Sequence, residues 1–436
     1  MADKLRFVVG LDFGTSTIKC IVLVIFPKKR EHRLVQIDGL PLFPSCVWQK
    51  ADDLIFGHRP QTFDSFFRSI KVCLRSMACP EMSLPTFNAA DMDQAPVLAW
   101  ALLTYAARKV VEWMKVNYPQ VKYAYDICRD VSWNMGVPLD AINEERPREL
   151  FLRILYCAIL EAVTTPQSPS RFSFSRRRFH SLRDSKLSQV KQESGFAYIE
   201  NCFIFCEAHV AVNAFLNMEG NIDDGLYFVC DVGAGTTDVA FFRYTTATYC
   251  PRQISFYDSS STAAAGDNFL ELEMREAMRS NPSLTTDAAF QLAQQRMRAG
   301  QFCSGYSEIY NKIHNAVLAG FRRSLPKERN FEQWKRGLEE QGGAAVFGGG
   351  SQIHGVPEAC SRTLDGITPG FVSMKKKLPL REMTELHRIA FGLATPAIEF
   401  YESWPPTDVK PILPPPPLKN ESDFDRRIRN PYSLED

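Results

Sequence analysis

The stretch YFVCDVGAGTTDVAFF, residues 227–242, decides the fold, because two apolar runs flank a glycine-rich turn. Aromatic and β-branched residues on both sides of such a turn predict a β-hairpin. Glycines let the backbone approach an anion, and the N–H groups of the turn form a concave phosphate site. The Asp231 carboxylate suits Mg²⁺ held through water, and the Thr236 and Thr237 hydroxyls suit phosphate oxygens. Glycine and aspartate are also ordinary turn residues, so this stretch alone leaves a plain hairpin open.

A second copy of the pattern lies at the N-terminus. FVVGL, residues 7–11, leads into DFGTST, residues 12–17, and an apolar strand resumes over residues 18–26. Each copy is a strand, an Asp-x-Gly turn, a cluster of hydroxyls and a second strand. Two such hairpins facing each other across a cleft would hold a triphosphate and its metal from both sides. The second copy therefore favours a phosphate site over a plain turn.

The paired hairpins resemble the first and second phosphate motifs of the actin-like ATPase superfamily, which includes the heat-shock chaperone ATPase domain, actin and the sugar kinases. AAVFGGGS, residues 344–351, is similar to the third motif, a glycine-rich strand-to-helix turn beneath the adenosine. The three segments follow one another in the superfamily order. The resemblance implies an α/β, two-lobed actin-like ATPase fold, built from two ribonuclease-H-like domains with inserted subdomains.

Two single residues resemble the chaperone branch of that superfamily. Lys71 falls on a lysine that points at the γ-phosphate, although a lone lysine is usually a solvated surface charge. Glu207 falls on a glutamate that faces the water shell of Mg²⁺, with Ala208 in place of the family's proline. The segment AAAGDNF, residues 263–269, resembles the start of the second outer lobe. Helices are predicted next over residues 270–278 and 287–297, and in the region of the second, Arg296 or Arg298 corresponds to the basic residues near the ribose.

The resemblance thus implies ATP or ADP and Mg²⁺ as cofactors. The implied catalytic residues are Asp12, Lys71, Glu207 and Asp231, and the metal is held through water by Asp12 and Asp231. The implied nucleotide contacts are Gly14, Thr15, Ser16, Thr17, Gly233, Gly235, Thr236, Thr237, Gly266, Asp267, Arg296, Gly348, Gly349, Gly350 and Ser351.

The domain boundaries follow from the same comparison. Residues 1–200 form the expected first lobe, and residues 201–400 the second. The first lobe contains an inserted subdomain at about 39–125 and a basic loop at 164–195; the second contains an insertion at about 262–340. Residues 401–436 are a proline-rich tail, expected to be disordered. Apolar periodicity predicts helices over residues 96–118 and 148–163, and a closing helix over residues 383–399.

Composition limits the classes of function. A hydrophobic fraction of 45% and a charged fraction of 23% are typical of a globular protein, and the net charge of +1 favours neither nucleic acid nor membrane as a partner. The cysteines lack metal-ligand spacing, and Cys20, Cys157 and Cys230 lie in apolar runs, which is typical of reduced core thiols. With no signal peptide or membrane span recognised, the sequence predicts a cytoplasmic protein.

These features predict an ATP-binding, slowly hydrolysing, heat-shock-chaperone-like protein that lacks the peptide-binding domain. Lobe closure on ATP would act as a nucleotide-gated switch on an unidentified protein partner. Ala234 replaces a family glycine, and the turn at 350–353 lacks an arginine to stack on adenine. Both departures leave open a nucleotide-binding scaffold without turnover. An actin-like filament-forming protein also stays open, whereas a small-molecule kinase would need a catalytic aspartate in the first lobe, and no convincing one is present.

Overall fold

The computed structural model describes the parts of the chain that form the sheets, their helices and the loops between them. The described residues are 5–51, 53–78, 94–121, 124–139, 142, 145–164, 172–173, 201–219, 225–245, 253–301, 305–324, 338–339, 343–370, 380 and 382–396. The predicted tail over 401–436 lies outside them. Of the predicted basic loop, only residues 164, 172 and 173 are described.

The chain is an α/β protein in which runs of strands and runs of helices follow one another. The strands are β1 Arg6–Phe13, β2 Thr17–Ile25, β3 Arg30–Val35, β4 Phe43–Pro44, β5 Val47–Lys50, β6 Asp53–Ile55, β7 Ser65–Phe67, β8 Val131–Val137, β9 Phe172–Ser173, β10 Cys202–Cys206, β11 Gly225–Val232, β12 Thr237–Thr245, β13 Gln253–Thr262 and β14 Ala344–Phe347. The helices are α1 Ile70–Ala78, α2 Ala95–Asn117, α3 Ala124–Asp130, α4 Glu145–Thr164, α5 Glu207–Glu219, α6 Gly266–Ser280, α7 Thr286–Arg298, α8 Tyr306–Ser324, α9 Val356–Cys360 and α10 Arg388–Leu393.

Two mixed sheets share the arrangement of four strands, to which the first sheet adds β10 and β4. In the first sheet, in the order β10-β8-β1-β2-β3, the antiparallel strands β1, β2 and β3 follow one another and β8 lies parallel to β1. In the second, in the order β13-β12-β11-β14, the antiparallel strands β11, β12 and β13 follow one another and β14 lies parallel to β11. The two predicted hairpins are therefore confirmed, and each occupies the same place in its sheet.

The parallel strands carry side chains that are buried on both faces, as expected where helices cover a sheet. Phe7, Val9 and Trp133 of the first sheet belong to one core with helices α2 and α4. That core continues through α5 to Tyr227 and Phe242 of the second sheet. Cys20, Cys157 and Cys230 are buried, in agreement with their predicted core role. The helices predicted over 96–118 and 148–163 correspond to α2 and α4.

The predicted closing helix over 383–399 is wrong in its extent. A single 3₁₀ turn, Glu385–His387, precedes α10, which ends at Leu393. Pro396 follows soon after, and the residue before a proline is disfavoured in helical backbone.

Helix α10 packs unusually closely on the first sheet. A Cβ on Gly10 of β1 would lie 2.8 Å from the carbonyl carbon of Leu393 and closer still to the Ala390 oxygen. The buried Asn134 amide on β8 donates to the carbonyl oxygens of Leu393 at 2.8 Å and Thr395 at 2.9 Å. Side-chain hydrogen bonds and a glycine contact thus fix this late segment against two early strands.

Candidate functional site

The two hairpin turns have the same backbone geometry. In the first, the Gly14 N–H donates to the Thr17 carbonyl at 3.1 Å; in the second, the Gly233 N–H donates to the Thr236 carbonyl at 2.8 Å. The last strand pairs, Phe13 with Ile18 and Val232 with Thr237, are in equivalent register. Each turn therefore places an aspartate two residues before its first glycine, at the end of a buried strand.

Both turns face one cavity of about 300 Å³, within the usual range of small-molecule sites. The predicted site residues that line it are Asp12, Gly14, Thr15, Ser16, Thr17, Lys71, Glu207, Asp231, Gly233, Gly235, Thr236, Gly266, Asp267, Gly348, Gly349 and Gly350. The fold brings these residues together from positions far apart in the chain.

Three predicted nucleotide contacts are not among the lining residues. Thr237 is fully buried and donates to the Ala264 carbonyl at 2.6 Å. Ser351 donates to the Gly348 carbonyl at 2.7 Å, within its own turn. On α7 the wall is formed by Arg298 rather than Arg296, together with two residues on the same helical face, Gln294 and Met297.

The two hairpin tips lie close together, and both line the cavity. A Cβ on Gly235 would lie 2.5 Å from Thr15 Oγ1 and closer still to Val72 Cγ2. Ordinary contact begins at 3.4 Å, so any side chain at this position of the second tip would force Thr15 and Val72 to shift.

Lys71 and Glu207 form a buried ion pair in the cavity wall. Lys71 lies in the first turn of α1, and Glu207 is the first residue of α5. Gly136 leaves room for the glutamate, because its Cβ would lie 3.0 Å from Glu207 Cγ. Burial raises the Glu207 pKa to about 7, and the carboxylates of Asp238 and Asp12 also raise it, while Lys71 lowers it.

A second ion pair lies beside it. The Lys19 ammonium on β2 is 2.8 Å from Asp12 Oδ2 on β1, and both side chains are largely buried. Lys19 also lines the cavity. This partner of Asp12 was not among the predicted site residues.

Asp231 has an unsatisfied acceptor. Its Oδ1 is buried and has no hydrogen-bond partner within the described part of the chain. Burial raises the Asp231 pKa well above its ordinary value, and the carboxylates of Glu207, Asp238 and Asp12 raise it further. An uncompensated buried carboxylate oxygen beside other carboxylates is the environment that a divalent cation relieves.

A metal ion can be coordinated directly by side chains or held by them through bound water. No three His, Cys, Asp or Glu side chains of the described residues are grouped to hold a metal ion directly. Asp12 and Asp231 both line the cavity, so the residues present fit the water-mediated arrangement. Mg²⁺ bound there would supply positive charge to phosphate oxygens and to these carboxylates.

Helix α6 fixes the back of the second turn. The N–H groups of Gly266 and Asp267 donate to the carbonyls of Gly233 at 3.0 Å and Ala234 at 2.6 Å. The Asp267 carboxylate accepts from the Ser69 hydroxyl and lies 3.3 Å from the Arg68 guanidinium. Gly266 and Asp267 therefore stabilise the conformation of the turn, and the Asp267 side chain connects it to Ser69 and Arg68 in the first half of the chain.

The glycine loop after β14 forms the third wall. Gly348 has φ 81°, and its Cβ would lie 2.6 Å from the carbonyl carbon of Val232. A side chain is excluded there by both the backbone conformation and the neighbouring strand. Gly349–Gln352 then form a 3₁₀ turn, and α9 follows, which confirms the predicted strand-to-helix turn.

Residues that sequence reasoning missed complete the wall. They are Lys19, Ala234, Leu270, Gln294, Met297, Gln352, Ile353, Leu386, Arg388 and Ile389, whereas Arg298 was the alternative already named for the ribose. Arg388 is buried, with its guanidinium 5.0 Å from the centre of the Phe347 ring. The spacing of Gln294 and Arg298 on a predicted helix was a usable signal, whereas Arg388 enters the site through the packing of α10.

No protein-family model matches the chain, and no curated protein matches it significantly. Among the described residues, no helix is both long enough and apolar enough to cross a membrane.

Proposed function

We propose that this chain is a two-lobed, actin-like nucleotide-binding protein of the heat-shock chaperone type, with ATP and Mg²⁺ in the cavity. The observation that carries the proposal is the pair of equivalent hairpin turns, Gly14–Thr17 and Gly233–Thr236, facing one cavity. The shared topology of the two sheets supports it, as does the glycine loop after β14. ADP would occupy the same cavity.

The chemistry proposed is slow hydrolysis of ATP to ADP and phosphate. Backbone N–H groups of the two turns would hold the phosphates, since such turns present donors without a side chain in the way. The Lys71 ammonium would stabilise charge at the terminal phosphate, and the Glu207 carboxylate would order water nearby. Phosphoryl transfer to water depends mainly on positioning and charge neutralisation, which these groups provide.

The last part of this proposal is that nucleotide binding switches the interaction with a protein partner. Turns from both sheets contact the same cavity, so a ligand held by both would favour the closed arrangement of the two lobes. The cytoplasmic location predicted from the sequence remains a prediction.

A scaffold that binds nucleotide without turnover is the second candidate, and one observation favours it. The Lys71 ammonium is paired with Glu207, so each charge already has a buried partner. A catalytic Lys71 would have to exchange this partner for a phosphate oxygen. Persistence of the pair with ATP bound would favour the scaffold.

Calorimetric titration of ATP with Mg²⁺ tests the binding proposal, with Gly233→Val as the diagnostic variant. A valine side chain would occupy the space through which phosphate approaches the turn, and a Cβ at this position already lies 3.1 Å from the Thr236 oxygen. We expect the wild type to bind and the folded variant to bind at least about a hundredfold more weakly, equivalent to the loss of one or two hydrogen bonds to a charged group. Equal affinity in the two proteins would contradict this use of the cavity. Asn117→Ala, at the end of α2 and away from the cavity lining, is a suitable control.

A further inference from the structure

Two cysteine thiols are in contact in the core beside the second sheet. The Sγ atoms of Cys230 and Cys360 lie 3.5 Å apart, although the two residues are 130 positions apart in the chain. Both side chains are fully buried, in the cluster that includes Val232 and Val356. The nucleotide site proposed above uses neither thiol. The sulfurs of a disulfide lie about 2.05 Å apart, so an approach of about 1.5 Å would join this thiol pair.

Cys230 lies behind one wall of the cavity. It precedes Asp231 on β11, and successive side chains of a strand point to opposite faces of the sheet. Asp231 lines the cavity, whereas Cys230 belongs to the core on the other face. A covalent bond at Cys230 would therefore act on the strand that holds Asp231 without entering the cavity.

Cys360 is the last residue of α9, the short helix that follows the glycine loop. The Ile353 N–H donates to the Gly350 carbonyl at 3.0 Å, and the Val356 N–H donates to the Ile353 carbonyl at 3.1 Å. These hydrogen bonds connect the glycine loop to the start of the helix. A bond between Cys230 and Cys360 would therefore tie the third wall of the cavity to β11.

Helix α9 has one exposed face and one buried face. Glu358 is exposed, whereas Val356, Ala359 and Cys360 are buried. The helix has five residues, and a helix with so few buried side chains opens at a lower free energy than the whole fold. Local opening of α9 would therefore admit a small oxidant to the thiol pair while the sheet stays intact.

We propose that Cys230 and Cys360 are a modification site, a dithiol that hydrogen peroxide converts to a disulfide, which fixes the glycine loop to β11. One sulfur attacks a peroxide oxygen, the O–O bond breaks, and a sulfenic acid and water are formed. The second sulfur then attacks the first, the S–O bond breaks, and a second water leaves. The two sulfurs together lose two electrons, and the peroxide is reduced to two waters. In the cytoplasm predicted from the sequence, thiol exchange would make the bond transient.

Peptide mapping by mass spectrometry tests the site on the folded full chain. The protein is treated with hydrogen peroxide without denaturant, alkylated at its remaining thiols and digested without reduction. We expect a cross-linked peptide pair that contains Cys230 and Cys360 and that disappears after treatment with dithiothreitol. Cys46→Ser is the matched control, because Cys46 is half-buried and lies outside the thiol pair, and it should leave the cross-link unchanged. Absence of the cross-link from the folded wild type, or its formation only in urea, overturns the proposal.

Urea denaturation measures what the bond does to the fold. Closing a loop of about 130 residues restricts the unfolded chain, so peroxide should raise the urea midpoint of the wild type by roughly 0.5 M or more. Cys360→Ala cannot form the bond, and peroxide should not raise its midpoint; if this variant does not fold, Cys230→Ala carries the comparison. An equal rise in the variant, or no rise in a cross-linked wild type, overturns the fixing of the loop. Neither measurement uses nucleotide, so both stand whether or not the protein binds ATP.

Discussion

Gly235→Ala tests whether the two hairpin tips close on each other. The added Cβ would lie 2.5 Å from Thr15 Oγ1 and nearer still to Val72 Cγ2, against an ordinary contact of 3.4 Å. The tips would therefore have to separate by more than about 0.9 Å, or the side chains would have to leave their preferred rotamers. Overpacking of this kind costs about 1–3 kcal/mol. We expect that loss in the free energy of unfolding.

Urea denaturation, followed by circular dichroism, measures the loss as a lower midpoint at constant slope. Gly349→Ala is the control in the same cavity, since its Cβ would meet only Leu386 Cδ2 at 3.7 Å, and we expect a change within about 0.5 kcal/mol. Val72→Ala should partly rescue Gly235→Ala, so the double variant should be more stable than the sum of the two single losses implies. An unchanged midpoint for Gly235→Ala would refute the close contact of the second tip with Thr15 and Val72, and strict additivity with Val72→Ala would refute its contact with Val72 on α1.

Two further predictions concern charged and titratable groups. Lys71→Ala should lower single-turnover ATP hydrolysis roughly a hundredfold and ATP affinity by less than about tenfold, because the ammonium acts where charge shifts in the transition state; a variant as fast as the wild type would remove Lys71 from catalysis. His209 is half-buried, and its desolvation lowers its pKa to about 4, so the unfolded chain binds the proton more readily between about pH 6.5 and pH 4. The stability that neutral His209 contributes should be fully present above pH 6.5 and fall by about 2 kcal/mol from pH 7 to pH 5, while the raised pKa of Glu207 acts in the opposite direction over the same range. In urea titrations at both pH values, the change in stability on going to pH 5 should therefore be more favourable for His209→Phe than for the wild type by about 2 kcal/mol; parallel curves for the variant and the wild type would contradict it.

Local sequence patterns predicted the elements whose signals are periodic. The hairpins followed from apolar runs around Asp-x-Gly turns, and α2 and α4 from apolar positions at helical spacing. Helix α8 was missed, although Tyr306, Ile309, Ile313, Val317 and Phe321 form an apolar stripe at the same spacing. The apolar periodicity that predicts this helix is therefore present in the sequence.

Contacts between distant segments could not be predicted in the same way. The run AFGLA, residues 390–394, resembles a family helix of small residues that packs on the adenosine side, but the entry of Arg388 into the cavity depends on how α10 packs on β1. The Lys19–Asp12 pair was within reach, since a two-residue strand alternation places Lys19 opposite Asp12 once the turn is fixed. Burial and ion pairing of Lys71 with Glu207 depend on two elements brought together by the whole fold.

The packing of α10 on the first sheet affects the order in which parts of the protein can complete their folding during synthesis. Strand β1 leaves the ribosome first, yet the backbone that fits against Gly10 and accepts from Asn134 belongs to residues 388–395. A nascent chain that ends before Arg388 leaves the buried Asn134 amide without these acceptors and one face of β1 without its cover. The N-terminal half therefore completes its native packing only after nearly all of the described chain has been translated, and until then that face is accessible to chaperones and proteases.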